Sequence, residues 1–155
     1  MSLGRRHEQD GVKFSRLRSA IFGQPRKPVH QQTEPQRIFL VCGKATLDTI
    51  RNSLCGEGVL VACGEGTPAI QSIPRMVDAQ PDLVIIELEG FSLDELEIVG
   101  ALKLCMPEVP LFVVAEYCSL QSEKRAILYG IDALFETKQD LNSLVLNVRA
   151  ALNHA

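Results

Sequence analysis

The sequence predicts an α/β domain over residues 37–155: a doubly wound parallel sheet with helices on both faces. Two observations point there. Short, continuously apolar runs alternate with helical patterns, β first, five of each; and the runs are apolar throughout, as strands buried on both faces must be. A third observation sets the boundary. Residues 1–36 hold seven of the 16 basic side chains and three of the 19 acidic ones, net +4, whereas residues 37–155 hold nine and sixteen, net −7.

Residues 23–36, GQPRKPVHQQTEPQ, carry three prolines, four glutamines and Val29 as the one aliphatic side chain. Too little apolar area is available there to offset ordering entropy, so the stretch reads as a linker. Before it, Val12, Phe14, Leu17, Ile21 and Phe22 mix with Lys13, Arg16 and Arg18. Two readings stay open: a short basic amphipathic helix that docks on a partner or an anionic surface, or a solvated arm that folds only transiently. Arg5 and Arg6 precede no apolar stretch and no run of about 18 apolar residues occurs, so a cytoplasmic location is expected.

The elements follow in order. IFLVC (38–42) reads as the first strand, and Thr46–Leu54 as a helix with Leu47, Ile50 and Leu54 at helical spacing, stopped by Gly56 and Gly58. VLVAC (59–63) is the second strand and GEG (64–66) a turn. Thr67 as cap and Pro68 at the first position open a helix toward Ala79, with a kink or early break at Pro74. LVIIEL (83–88) is the most apolar strand and hence central. Ser92 or Asp94 begins a helix that Met106-Pro107 ends. LFVVA (111–115), a charged helix Leu120–Tyr129 stopped by Gly130, DALFE (132–136) and a helix capped by Asp140 complete the chain.

In such sheets functional groups collect at the carboxyl ends of the strands. Cys42, Cys63 and Cys118 fall at or beyond those ends, where a soft-metal or redox site is conceivable; with His7, His30 and His154 all in the tails and no C-x-x-C pair, small core thiols are the reading preferred. The C-G-E-G pairs at 55–58 and 63–66 lack phosphate-loop spacing and read as turns. Asp94, Glu95 and Glu97 favour a helix N-terminus and form an acidic rim suited to a basic partner. The net −7 of residues 37–155 disfavours nucleic-acid contact.

PDLVIIEL (81–88) with its following helix, Met106-Pro107 before the fourth strand, VPLFVVA (109–115) and Y-G-I-D-A (129–133) resemble, in order and spacing, response-regulator receiver domains of the CheY-like type. The resemblance covers about residues 37–153. It implies a (βα)5 flavodoxin-like sheet of order 2-1-3-4-5. It further implies where phosphorylation chemistry would sit: an acceptor aspartate ending the third strand, a Mg²⁺-binding acidic pair after the first, a Thr or Ser ending the fourth, and a Lys and an aromatic on the fifth. Here the acceptor position is Glu87, the acidic pair is Cys42 and Gly43, the hydroxyl position is Ala115, the aromatic position is Leu134 and the Lys position is Thr137. A one-residue slip of the fifth strand would bring Phe135 and Lys138 into the last two places.

The expectation is therefore a degenerate receiver, a pseudo-receiver that is not an enzyme and needs no metal or other cofactor. It would act by binding a protein through the helix 4–strand 5–helix 5 face, about Leu120–Ala155, with homodimerisation through that face open. Glu87 either imitates a phosphorylated aspartate, paired with Lys138, or is a capped or solvated carboxylate. A receiver phosphorylated by unusual chemistry and an assembly or localisation protein on a receiver fold are the alternatives.

Overall fold

Side-chain direction alternates along every strand, and that alternation builds two cores from one sheet. In the computed structural model, which describes residues 34–65 and 70–153, the strands are β1 Gln36–Cys42, β2 Val59–Glu65, β3 Leu83–Leu88, β4 Leu111–Ala115 and β5 Ala133–Glu136. All pair in parallel, in the order β2-β1-β3-β4-β5. The helices are α1 Lys44–Leu54, α2 Ile73–Asp78, α3 Leu93–Cys105, α4 Leu120–Tyr129 and α5 Leu141–Asn153. Ile38, Leu40, Ile85, Phe112, Val114 and Phe135 face one side, against Ile50 and Leu54 of α1 and Leu144, Val148 and Leu152 of α5. Phe39, Val41, Val84, Ile86, Leu88 and Val113 face the other, against Met76 of α2, Leu96, Val99 and Leu102 of α3 and Ala126 of α4. Both faces being covered, the strands have no polar side to show.

The expected order and all five strands are present, with shifts at several ends. The sheet begins at Gln36, inside the expected linker, and Gly64 and Glu65 extend β2 where a turn was expected. Thr67 and Pro68, like the tail before residue 34, lie outside the described residues; the helix expected to run through Pro74 instead divides into a 3₁₀ turn, Ile70–Ser72, and α2, with Pro74 in its first turn. A proline tolerates the first turn because its missing N–H has no partner there to lose.

The amino ends of the strands are latched by two aspartates. Asp82 accepts the Arg37 N–H at 2.8 Å, while its own N–H donates to the Arg37 carbonyl at 2.7 Å. Asp132 repeats the device on β4, accepting the Leu111 N–H at 2.8 Å and the Lys103 ammonium at 3.0 Å. Lys103 also donates to the Val109 carbonyl at 3.0 Å. Gly130, at φ 106°, ends α4 in the left-handed region, and a Cβ there would stand 3.2 Å from Lys103 Cγ. The Y-G-I-D-A segment thus serves the architecture at the end of the sheet away from the candidate site. Asp132→Ala removes an acceptor from a half-buried N–H and a partner from a half-buried ammonium, so a loss of about 1–3 kcal/mol is expected in urea denaturation, against less than about 0.5 kcal/mol for an exposed change such as Arg125→Ala.

Candidate functional site

At the carboxyl ends of β1 and β3 a glutamate side chain closes onto a helix terminus. Cys42 ends β1 with its side chain buried among Ile50, Leu54 and Leu144 on the α1/α5 side. Gly43 follows as the N-cap of α1, with extended φ −63° and ψ 159° and no side chain to cap the helix. Glu87 is the penultimate residue of β3; by strand alternation it projects to the same side as Leu83 and Ile85, toward α1. Its Oε2 accepts the Gly43 N–H at 2.6 Å. The short distance is what a charge-assisted bond gives, and the carboxylate lies at the positive end of the α1 dipole. Helix α1 starts at Lys44, two residues before the expected Thr46, because this acceptor arrives from 44 positions along the chain. A Cβ on residue 43 would stand 3.3 Å from Glu87 Oε2, a tight contact that the end of the glutamate side chain would have to ease.

The remaining predicted positions gather at the ends of β4 and β5. Ala115, fully buried, pairs with Leu88 and Glu136. Leu134 pairs with Val113 and packs in the same core as Ala115 and Ala126. Phe135 pairs with Val114 on the opposite face, its ring tilted 55° against Phe112 at a centroid distance of 5.5 Å. The one-residue slip therefore does not occur: bringing Phe135 to the α4 side would strip the α5 side of its ring. The Thr137 N–H donates to the Ala115 carbonyl at 2.9 Å. Lys138 does not reach Glu87. It pairs with Glu116 Oε1 at 2.9 Å, both side chains largely exposed, and this contact raises the Lys138 pKa and lowers that of Glu116. The pairing of Glu87 with Lys138 is corrected accordingly, since Glu116, on the adjacent loop, is the nearer carboxylate. The Glu87 carboxylate is engaged by the start of α1, and Lys138 by Glu116.

One device was missed in the sequence. Glu95 accepts the N–H groups of Glu89 at 2.9 Å, Gly90 at 3.2 Å and Ser92 at 3.1 Å, while the Ser92 hydroxyl accepts the Glu95 N–H. This is an extended capping box, and its S-x-x-E signal is present at Ser92–Glu95. With three loop donors taken by one carboxylate, the β3–α3 loop is held fast, and Phe91 sits buried at φ 54° within it. Beside this loop an open cleft of about 440 Å³ lies among Glu89, Phe91, Glu116, Tyr117, Glu136 and Lys138. Glu136 Oε1 accepts the Cys118 N–H at 3.1 Å, and Asp140, which precedes α5, accepts the Glu136 N–H through its own carboxylate at 3.1 Å.

The cysteines do not converge. Cys42 is buried on the α1/α5 side and Cys118 is half-buried on the other; β2, which carries Cys63, stands three strands from β4, ~14 Å at the usual strand spacing. Burial, with Glu123 and Glu136 nearby, raises the Cys118 pKa and keeps it a thiol. Among the described residues no group of three or more His, Cys, Asp or Glu side chains is arranged to hold a metal ion, and no helix is long and apolar enough to cross a membrane.

No protein-family model matches the chain, and no curated protein matches it in sequence. Solved structures do match it. The chain is similar to a signal receiver domain of an HD domain-containing protein from Pseudomonas fluorescens Pf-5 (21% identity, TM-score 0.65, covering 83% of this chain and 94% of that one). It is similar to a CheY-like response regulator receiver domain protein from Methanospirillum hungatei JF-1 (20%, 0.64, 77% and 94%). A third neighbour is an atypical orphan response regulator described as having a phosphorylation-independent regulatory mechanism (18%, 0.62, 76% and 96%). The fold is that of CheY-like response-regulator receiver domains.

Receiver chemistry implies Mg²⁺ at this sheet edge, and the side chains here do not fit it. A hard cation takes oxygen ligands; Cys42 offers a buried thiol, Gly43 no side chain, and the Glu87 Oε2 is engaged by a backbone N–H. Glu87→Ala, which deletes the acceptor at the α1 terminus, is expected to cost about 0.5–2 kcal/mol in urea denaturation. Glu87→Gln keeps an uncharged acceptor and is expected to cost less than half of that loss.

Proposed function

We propose that this chain is a pseudo-receiver: a signal-transduction module of the two-component type that works by binding another protein, without catalysis and without a phosphoryl switch. The observation that carries the reading is the bond from Gly43 N–H to Glu87 Oε2. In-line phosphoryl transfer needs an acceptor oxygen free to attack and a cation to neutralise the transferring group. Here the acceptor position is a longer side chain turned onto a helix terminus, and the two places for cation ligands are Cys42 and Gly43. Ala115 has no hydroxyl with which to follow a phosphoryl group. Leu134 and Thr137, at the places where a working receiver keeps an aromatic and a lysine, fit the same loss.

Binding is assigned to the α4–β5–α5 face. Tyr117, Leu120, Ile127, Leu128 and Leu146 stand exposed on or beside it, and large apolar side chains gathered on one face mark interaction surfaces. The tail, residues 1–36, is proposed to tether or localise the domain through its basic charge. The neighbour whose regulation is described as phosphorylation-independent shows that the fold supports such a mode in that protein.

Incubation with acetyl phosphate and Mg²⁺ followed by intact-mass measurement tests the proposal. The mass is expected to stay unchanged. A gain of one phosphate, mapped to Glu87, would refute it.

A further inference from the structure

The folded domain leaves anionic surfaces to the tail. Residues 37–155 are net −7, against +4 for residues 1–36. Of the nine basic side chains after residue 36, Lys103, Lys138 and Arg149 are taken by Asp132, Glu116 and Glu57. The Arg37 guanidinium donates to the Ala79 carbonyl at 3.4 Å. A negatively charged surface repels the domain and attracts the tail.

Residues 12–22, VKFSRLRSAIF, lie outside the described residues, and their sequence carries more than charge. Phe14, Leu17 and Ile21 follow the i, i+3, i+7 spacing of one helix face, and Ser15, Arg16 and Ser19 fall on the opposite one. Lys13 and Arg18 flank the apolar set by about 70° on either side. A nucleic acid is met at its phosphates by basic side chains alone, and three large apolar groups on one face serve nothing there. A lipid surface takes both: anionic head groups receive the basic side chains, and the acyl boundary receives the apolar ones.

The residues that follow suit the same purpose. Residues 23–33 hold Pro25, Pro28, three glutamines and Val29 as the one aliphatic side chain, so they have almost nothing to insert. Eleven residues reach at most about 40 Å. That is several times the ~8 Å over which exposed charges act at physiological ionic strength. An acidic domain on such a leash escapes the field of a surface that would repel it.

We infer that residues 12–22 bind an anionic lipid surface, with Phe14, Leu17 and Ile21 entering the acyl boundary and Lys13, Arg16 and Arg18 meeting the head groups. The inference rests on the tail being the tether, and names what it is tethered to.

Vesicle co-sedimentation of the full-length chain tests it, using phosphatidylcholine vesicles with or without about one third phosphatidylglycerol. Binding to the anionic vesicles is expected to be at least about tenfold tighter and to weaken as salt rises. Lys13→Glu with Arg16→Glu is expected to remove the preference, and Leu17→Asp with Ile21→Asp to abolish vesicle binding. The chain has no tryptophan, so Phe14→Trp supplies a single reporter whose emission is expected to shift to the blue on anionic vesicles only. Unchanged urea midpoints check that these substitutions, all in the tail, spare the domain. A duplex DNA arm separates the sources of negative charge. Vesicle binding that survives Leu17→Asp with Ile21→Asp, an unshifted tryptophan, or binding to DNA but not to vesicles would overturn the inference and leave a charge-driven tether in place. No binding to either surface would overturn the inference and that tether together, and none of these results depends on the phosphate-mass experiment.

Discussion

One hydrogen bond decides what this sheet edge can do. The Glu87 carboxylate, carried to the carboxyl end of β3, is held on the N-terminus of α1 by the Gly43 N–H. A helix start leaves its first N–H groups without partners, and Gly43 has no side chain to satisfy them. Residue 43 is thus a glycine without a cap of its own, and residue 87 supplies one from the neighbouring strand.

Polar side chains at both ends of the sheet serve its architecture. At the amino ends, Asp82 and Asp132 bind backbone N–H groups of neighbouring strands, and Gly130 turns the chain beside Lys103. These contacts tie the strands together and carry no chemistry. At the carboxyl ends, carboxylates are spent on structure as well: Glu87 on α1, Glu95 on three N–H groups of the β3–α3 loop, Glu136 on Cys118. A loop secured in this way has few free donors with which to answer a phosphoryl group. Helix α4 stands apart: Ser122, Ala126 and Tyr129 lie on its inward side and Leu120, Ile127 and Leu128 are exposed.

Strand identity was legible because burial on both faces writes itself as unbroken apolar runs; LVIIEL and LFVVA match β3 and β4 end to end. The α4 bounds were legible too, from the local stop at Gly130. Apart from the local capping box at Ser92–Glu95, what escaped was nonlocal. The start of α1 is set by a side chain 44 positions away, and the partner of Lys138 comes from a different loop. The face occupied by Phe135 is a matter of a single-residue register, which a four-residue strand states weakly and packing against Phe112 settles. The capping role of Glu95 was readable from S-x-x-E, since that spacing alone places its carboxylate at the helix start. Pro74 was a local signal and behaved as one, falling in the first turn of a short helix.

The coupling of Glu87 to Gly43 is open to direct observation by NMR of the Gly43 amide. Hydrogen bonding to the carboxylate predicts a downfield resonance protected from exchange, which moves upfield on Glu87→Ala and stays in place when Mg²⁺ is titrated into the unaltered chain. A Gly43 amide that shifts progressively with Mg²⁺, or that ignores the loss of the Glu87 carboxylate, would contradict the account.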